Sequence, residues 1–303
     1  MGSEVATQSV AWLGQGDCHN CALLGGKASK LCHLAAEHRV PPGFCLTATA
    51  LDQALSQHAA LDENMSLAFL SPELYEELAG AYRALGEQCG VDAPSVAVRS
   101  SALDEDGAAA SFAGQHETYL NVVGPEAVAE AVVRCWASLQ SPRALEYRRK
   151  QGLALGGARI AILVQQLVPA DVSAVLFSAN PVTGSRNEVL INASWGLGES
   201  IVGGTVTPDT YVVRKADQAV VSRQVAEKRR MTVMASGGTR EVEVPRFLRN
   251  QQTLSDDQAT EMTRLVMALE ERMGHPVDVE CAYHAGQLHL LQCRPITTLA
   301  PSR

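Results

Sequence analysis

Two polar pairs near the end of the chain carry the clearest chemistry. If Ala285-Gly286-Gln287 is the turn of a hairpin, Glu280 faces Gln292 and Asp278 faces Arg294 across its two strands. Strand side chains alternate, so these four share one face, and Val279, Cys281, Tyr283, Leu291 and Cys293 share the other. A carboxylate beside an amide oxygen, with a second carboxylate and a guanidinium next along, forms a seat for Mg2+ and the phosphates it carries. The same residues would also suit a solvated sheet face with a cross-strand ion pair, and the pattern alone leaves both open.

Other candidates lie upstream. Gly25-Gly26-Lys27 ahead of an apolar-periodic stretch resembles a phosphate cradle, because bare backbone N–H groups and a lysine at a helix start attract anions. Its spacing is not that of a Walker loop, and a plain helix-entry turn would read the same way. Arg99 emerges from the apolar strand pattern SVAVRSS, either as an anion ligand or as an edge-strand arginine in water. The stretch Ser111-Phe112-Ala113-Gly114-Gln115 has the composition of a lid over a triphosphate, or of a flexible loop. Trp195-Gly196-Leu197-Gly198-Glu199 follows a strand, and its glycines suit close backbone approach to a ligand or a tight turn. Cys18, Cys21, Cys32 and His33 have a zinc-like look, but adjacent final ligands are awkward for a tetrahedron. Cys281 and Cys293 read as buried small hydrophobes.

The elements that must position these groups follow from periodicity. Helices are expected around Leu31 to Ala35, in two or three pieces from Ala48 to Cys89, from Pro125 to Lys150, and from Ser255 to Met273 with Ser255 and Asp256 at its start. Strands are expected at Ser95 to Ser101, Thr118 to Val123, Ile160 to Leu167, Ser173 to Phe177 and Glu188 to Ala193. More follow at Thr210 to Arg214, Ala219 to Val225, Arg240 to Val244, and in the closing hairpin. Segregated helices and antiparallel-looking strands argue for an α+β fold, cut near residue 170 into a helix-rich lobe (1–170) and a strand-rich lobe (171–303). A cleft between lobes is where a ligand usually sits.

Composition sets outer bounds. With 303 residues and 46% hydrophobic content the chain can bury a core, which excludes a disordered polypeptide. A formal net charge of -8 argues against an indiscriminate grip on nucleic acid or an anionic bilayer. No apolar run approaches the roughly 20 residues of a membrane span, and the first residues lack the order of a signal peptide, so a cytoplasmic protein is expected. The 8 cysteines are too sparse for a disulfide scaffold, and free thiols are expected.

The order of the motifs adds a resemblance. GGK, VAVRSSA, SFAGQHETYLNV, CWASLQSPRALEYR, VQQLV, NPVTG, WGLGES, TPDTYVV, VDVE and LLQCRPITTL together resemble the nucleotide-binding domain of the phosphoenolpyruvate synthase and pyruvate phosphate dikinase family. SFAGQHETYLNV, CWASL and RPITTL are most similar to the ATP-binding domain of rifampin phosphotransferases. The likeness implies an ATP-grasp fold closing on Mg-ATP. It implies that Lys27 and Arg99 hold phosphates, that Gln165, Gln166, Leu167 and Val168 line the adenine as an interlobe hinge, and that Glu199 approaches the ribose. Glu280 and Gln292 would bind Mg2+, and Arg294 would brace the transferring phosphoryl group. The chain departs from the family pattern at Ala28, where GGKG is usual, and at Ala102-Leu103-Asp104-Glu105-Asp106.

In that family a histidine on a separate swivelling domain takes the β-phosphate of ATP, leaving AMP and phosphate, and carries it to a substrate-binding domain. None of the 8 histidines here sits in a phosphohistidine motif, and the sequence ends at Arg303, just past the ATP-binding region. The first expectation is a phosphotransferase component serving a histidine carrier and a substrate-binding protein made separately. The others are an ATP-grasp enzyme acting directly on an unidentified small-molecule acceptor, and a nucleotide-binding module with little turnover.

Overall fold

The computed structural model describes residues 9–16, 18, 20–57, 65–103, 117–150, 152 and 158–296. The chain divides into two compact units, with the break after Leu167 and the short run His38–Val40 grouped with the second.

The first unit runs β1 (Val10–Trp12), α1 (Cys21–Leu34), β2 (Gly43–Leu46), α2 (Ala48–Ser56), α3 (Pro72–Cys89), β3 (Val96–Ala102), β4 (Thr118–Val122), α4 (Pro125–Ala137), α5 (Pro142–Lys150) and β5 (Ile160–Gln166). Its strands form one antiparallel sheet in the order β1-β2-β5-β3-β4. β5 lies at the centre, which is why its sequence reads as a continuous apolar run and not as an alternation. Phe44, Leu46, Val96, Val98, Ile162 and Val164 of the sheet join Leu51, Leu78, Tyr82, Leu85, Val132 and Trp136 of the helices in one core. Each such side chain contributes on the order of 1.5–3 kcal/mol when fully buried. The Tyr82 hydroxyl finds partners inside that core, donating to Pro94 O and accepting from Gly124 N, both at 2.8 Å.

Local signals set the helix ends. α3 starts on a Ser71 cap with Pro72 in its first turn and stops at the left-handed Gly90. The single helix expected from Pro125 to Lys150 is two, because Ser141 is extended ahead of Pro142, and a residue before proline is pushed out of the helical region. β1, paired with β2, went unread because it is only three residues long.

The second unit comprises β6 (Val172–Phe177), β7 (Glu188–Trp195), α6 (Glu199–Val202), β8 (Asp209–Arg214), β9 (Val220–Gln224), β10 (Arg230–Ala235), β11 (Gly238–Glu243), α7 (Asp256–Met273), β12 (Val277–His284) and β13 (Gln287–Pro295). Six strands form an antiparallel sheet in the order β13-β12-β6-β7-β8-β9, and β10 pairs with β11 as a separate ribbon. α7 begins with a reciprocal Ser255–Gln258 capping box and packs against β12, β8, β6 and β7. It buries Met262, Val266 and Leu269. The mixed α+β organisation is the one expected. Among the described residues no helix is long and apolar enough to cross a membrane.

Candidate functional site

The β12–β13 hairpin pairs Glu280 with Gln292 and Asp278 with Arg294. It reaches that register by a different route from the one expected. The turn is the two residues Ala285-Gly286, both with positive φ, and it pairs His284 with Gln287 and Cys281 with Leu290. A bulge at Leu291 then shifts the register by one residue, restoring the expected pairs beyond it. Leu290 rather than Leu291 therefore fills the buried position opposite Cys281, and Leu291 is half-buried.

Across this hairpin the polar side chains hold one another. Gln292 Nε2 donates to Glu280 Oε1 at 3.1 Å, and Arg294 Nε and Nη2 both lie 2.8 Å from Asp278 Oδ2. A fully solvated face is ruled out, since Asp278 and Gln292 are each only 7% exposed. Asp278 Oδ1 is buried without a hydrogen-bond partner. Desolvation raises the Asp278 pKa, opposed by Arg294 and assisted by the charge of Glu280. Arg294 is thus oriented by a carboxylate whose second oxygen is desolvated and unsatisfied.

In the first unit, the segment expected as a helix-entry turn lies inside α1, which breaks at Gly25 (φ 69, ψ 169). A Cβ at Gly25 would meet Ser101 O and Ala102 O at 2.5 Å, so only glycine lets α1 sit this close to β3. Lys27 Nζ donates to Ser100 O at 3.2 Å, and Ala28 N donates to Ser101 Oγ at 3.2 Å. One N–H of the expected cradle is therefore satisfied by β3. Arg99 lies half-buried on β3, opposite Leu163 and Thr118; β3 runs between β5 and β4, so this is not an edge-strand arginine.

Gln165, Gln166, Leu167 and Val168 end β5 and cross the break between units. The Gln165 amide is buried and donates to Pro41 O at 3.1 Å, while Gln166 N and Leu167 N donate to Pro42 O and Ser95 O. Val168 is buried. Ser111, Gly114 and Gln115 lie outside the described residues.

Glu199 opens the single turn α6, and Thr239 Oγ1 of β11 donates to its Oε2 at 2.8 Å. Of the preceding glycines, Gly196 packs against the ribbon and Gly198 against Ser173 of β6. Gly196 has φ +76, a Cβ there would meet Thr232 O at 2.4 Å, and Leu197 N donates to that same oxygen at 2.9 Å. At Gly196 the close approach is to protein backbone, a use distinct from the ligand approach and the tight turn expected for these glycines.

The cysteine tetrad is not assembled. Cys18 and Cys32 are joined as a disulfide with their Cα atoms 5.9 Å apart, which corrects the expectation of free thiols throughout. The turn before α1 returns the chain against the helix, a fold-back that spacing alone does not reveal. The Cys21 thiol pairs with the Ser29 hydroxyl at 3.0 Å. Among the described residues no group of three or more His, Cys, Asp or Glu could hold a metal ion.

Sequence reasoning missed a fully buried ion pair in the second unit. Lys228 Nζ donates to Asp209 Oδ1 at 2.5 Å and to Ala226 O at 2.9 Å, both side chains having no exposed surface. The Asp209 carboxylate also accepts from Ala226 N, Thr253 N and Thr253 Oγ1. Lys228 stands in the run AEKRR, which reads as solvated, and no local signal marks it as buried.

Residues 56–303 match the family model described as "Pyruvate phosphate dikinase, AMP/ATP-binding domain". A probable phosphoenolpyruvate synthase of Methanocaldococcus jannaschii is 39% identical over 317 residues, which cover 96% of this chain and 27% of that protein. A rifampicin phosphotransferase of Streptomyces sviceus is 38% identical over 323 residues, 99% of this chain and 37% of that protein. A phosphoenolpyruvate synthase of Pyrococcus furiosus is 44% identical over 236 residues, 75% of this chain and 29% of that protein. The chain therefore spans well under half the length of each. The solved structure of D-alanyl-alanine synthetase A from Vibrio cholerae matches at a TM-score of 0.34 and 13% identity, covering 88% of this chain and 54% of that one. On the family match, the chain belongs to the pyruvate phosphate dikinase AMP/ATP-binding domain family.

Proposed function

We propose that this chain binds Mg-ATP and is the ATP-binding component of a phosphotransferase, passing a phosphoryl group to a histidine carrier on a separate protein. The observation that carries the reading is the hairpin face, where Glu280 pairs with Gln292 beside Asp278 and Arg294. A carboxylate and an amide are hard oxygen donors suited to Mg2+, an ion that commonly takes one or two protein ligands and completes its shell with phosphates and water. The unsatisfied oxygen of Asp278 beside them fits a neighbourhood built to receive positive charge. Glu280 and Gln292 would hold the ion, which when bound neutralises charge on the phosphates.

In this reading Arg294, oriented by Asp278, braces the phosphoryl group being transferred. Lys27 and Arg99 hold phosphates, with Lys27 exchanging its contact to Ser100 O for a phosphate oxygen. Glu199 accepts from the ribose, and the segment Gln165 to Val168 lines the adenine. Fixed cations aimed at the transferred group supply most of the catalysis of phosphoryl transfer, because there is little covalent chemistry for side chains to perform. Transfer of the β-phosphoryl group to the histidine, with water taking up the γ-phosphoryl group, would leave AMP and phosphate, and the similarity to phosphoenolpyruvate synthases and rifampicin phosphotransferases supports ATP-dependent phosphotransfer.

Incubation with ATP, Mg2+ and candidate acceptors, followed by identification of the nucleotide product, tests this. AMP formed only with a histidine-bearing protein supports the reading. ADP together with a modified small molecule overturns the carrier in favour of direct transfer, and absence of Mg2+-dependent ATP binding by calorimetry overturns the whole.

A further inference from the structure

Glu199 is exposed on a single helical turn, where burial does nothing to restrict its side chain. Its observed partner comes from the β10–β11 ribbon: Thr239 Oγ1 donates to Glu199 Oε2 at 2.8 Å. The ribbon is itself fixed. Thr232 O of β10 receives Leu197 N at 2.9 Å and lies so close to Gly196 that any side chain there would collide with it. Just before β10, the buried Lys228–Asp209 pair ties the incoming strand to the start of β8, and Asp209 also binds Thr253. Thr239, at the far end of this anchored ribbon, opposes Met234 in register.

The geometry points to Thr239 as a positioning residue for sugar recognition: its hydroxyl holds the Glu199 carboxylate in the orientation that accepts from the ribose 2′-hydroxyl. It thereby sets a preference for ribonucleotides over 2′-deoxyribonucleotides. The inference rests on the reading that Glu199 approaches the ribose. A carboxylate has acceptor positions on both oxygens, so a hydroxyl bound at Oε2 leaves Oε1 to accept from the sugar. A free glutamate loses rotamer freedom when ligand binds, whereas one already held by Thr239 has lost it on folding. The advantage applies only to a sugar that carries the donor.

The test uses the full chain and measures the affinities of ATP and 2′-deoxyATP with Mg2+ by calorimetry, with thermal melting to confirm folding. The unsubstituted protein should favour ATP. Thr239→Val should weaken ATP by about 3- to 10-fold, the scale of one hydrogen bond, and leave 2′-deoxyATP nearly unchanged. Thr239→Ser keeps the donor and should restore the preference, and Glu199→Ala should abolish it. If Thr239→Val keeps the original ratio while Glu199→Ala loses it, Thr239 has no such role and the ribose reading stands. Failure of Thr239→Ser to recover the ratio also overturns the role of Thr239. A ratio unchanged in Glu199→Ala, or equal affinities in the unsubstituted protein, overturns the contact of Glu199 with the 2′-hydroxyl and the inference with it.

Discussion

The β12–β13 hairpin and the α1–β3 junction both present charged groups, and they hold them by different means. In the hairpin, side chains hold side chains across adjacent strands: Gln292 with Glu280, Arg294 with Asp278. At the junction, Lys27 reaches a backbone carbonyl 73 residues away in sequence, and Gly25 makes the approach possible by having no side chain. The first arrangement pairs side chain with side chain, so its members depend on one another. The second is a docking of elements, in which one partner of the cation is a neutral carbonyl that an anion can replace. The second unit pairs side chain with side chain again at Asp209 and Lys228, this time fully buried.

Removing one member of a buried ion pair should be the costliest change. Lys228→Met would leave the Asp209 carboxylate buried and without its counter-charge, at a cost of about 3–5 kcal/mol. Chemical denaturation should show this as a lower midpoint, and combining it with Asp209→Ala should cost less than the two single changes added together. An additive double variant would mean that the two residues are not one unit.

Glu280→Ala tests the hairpin's pair by function. Glu280 is only half-buried and contributes little packing, so the fold should persist while Mg2+-dependent turnover falls by roughly 10²–10³-fold. Thermal melting and the rate of nucleotide product formation check the two halves of that expectation. Retained turnover would remove Glu280 from the site and leave its bond to Gln292 as sheet packing alone.

The same contrast explains what was legible in the sequence. Alternation and a hairpin turn place Glu280 beside Gln292 by local arithmetic, although the turn is one residue shorter than expected and the bulge at Leu291 compensates. The long helices α3 and α7 announce themselves through caps and periodicity. Lys27 against Ser100, Lys228 against Asp209 and Thr239 against Glu199 follow no local rule, because each joins residues brought together only by the folded chain. The Cys18–Cys32 bond belongs with them: its spacing is equally compatible with a metal site or with free thiols.

That disulfide offers a way to break the comparison from the side of the junction. It closes a loop of sequence separation 14 that contains Gly25 and Lys27. Constraint of the unfolded chain by a loop of this length is worth about 3 kcal/mol in the chain-entropy description. A dithiol reductant, or Cys18→Ser, should therefore lower the first unit's unfolding midpoint, read by hydrogen exchange in α1. The exchange protection of β12 and β13 should be untouched. Loss of protection in both places would show that the two regions do not stand on separate supports.

The smallest effect is expected at His289, on β13 between the turn and the bulge. Its Nδ1 is buried without a partner, and burial first, then the charges of Arg39 and His284, hold its pKa below the usual 6.5. A group whose pKa falls on folding binds fewer protons folded than unfolded. Its contribution to stability is therefore present above the unfolded pKa and lost as pH drops through the folded one. His289→Gln cannot take up that proton, so its stability should decline less steeply below about pH 6.5. The ring is only part-buried, and the solvent that still reaches it limits the difference to at most about 0.5 kcal/mol. Denaturation curves for the two proteins at pH 7.5 and pH 5 measure it, and parallel losses would mean that solvent fully compensates the buried nitrogen.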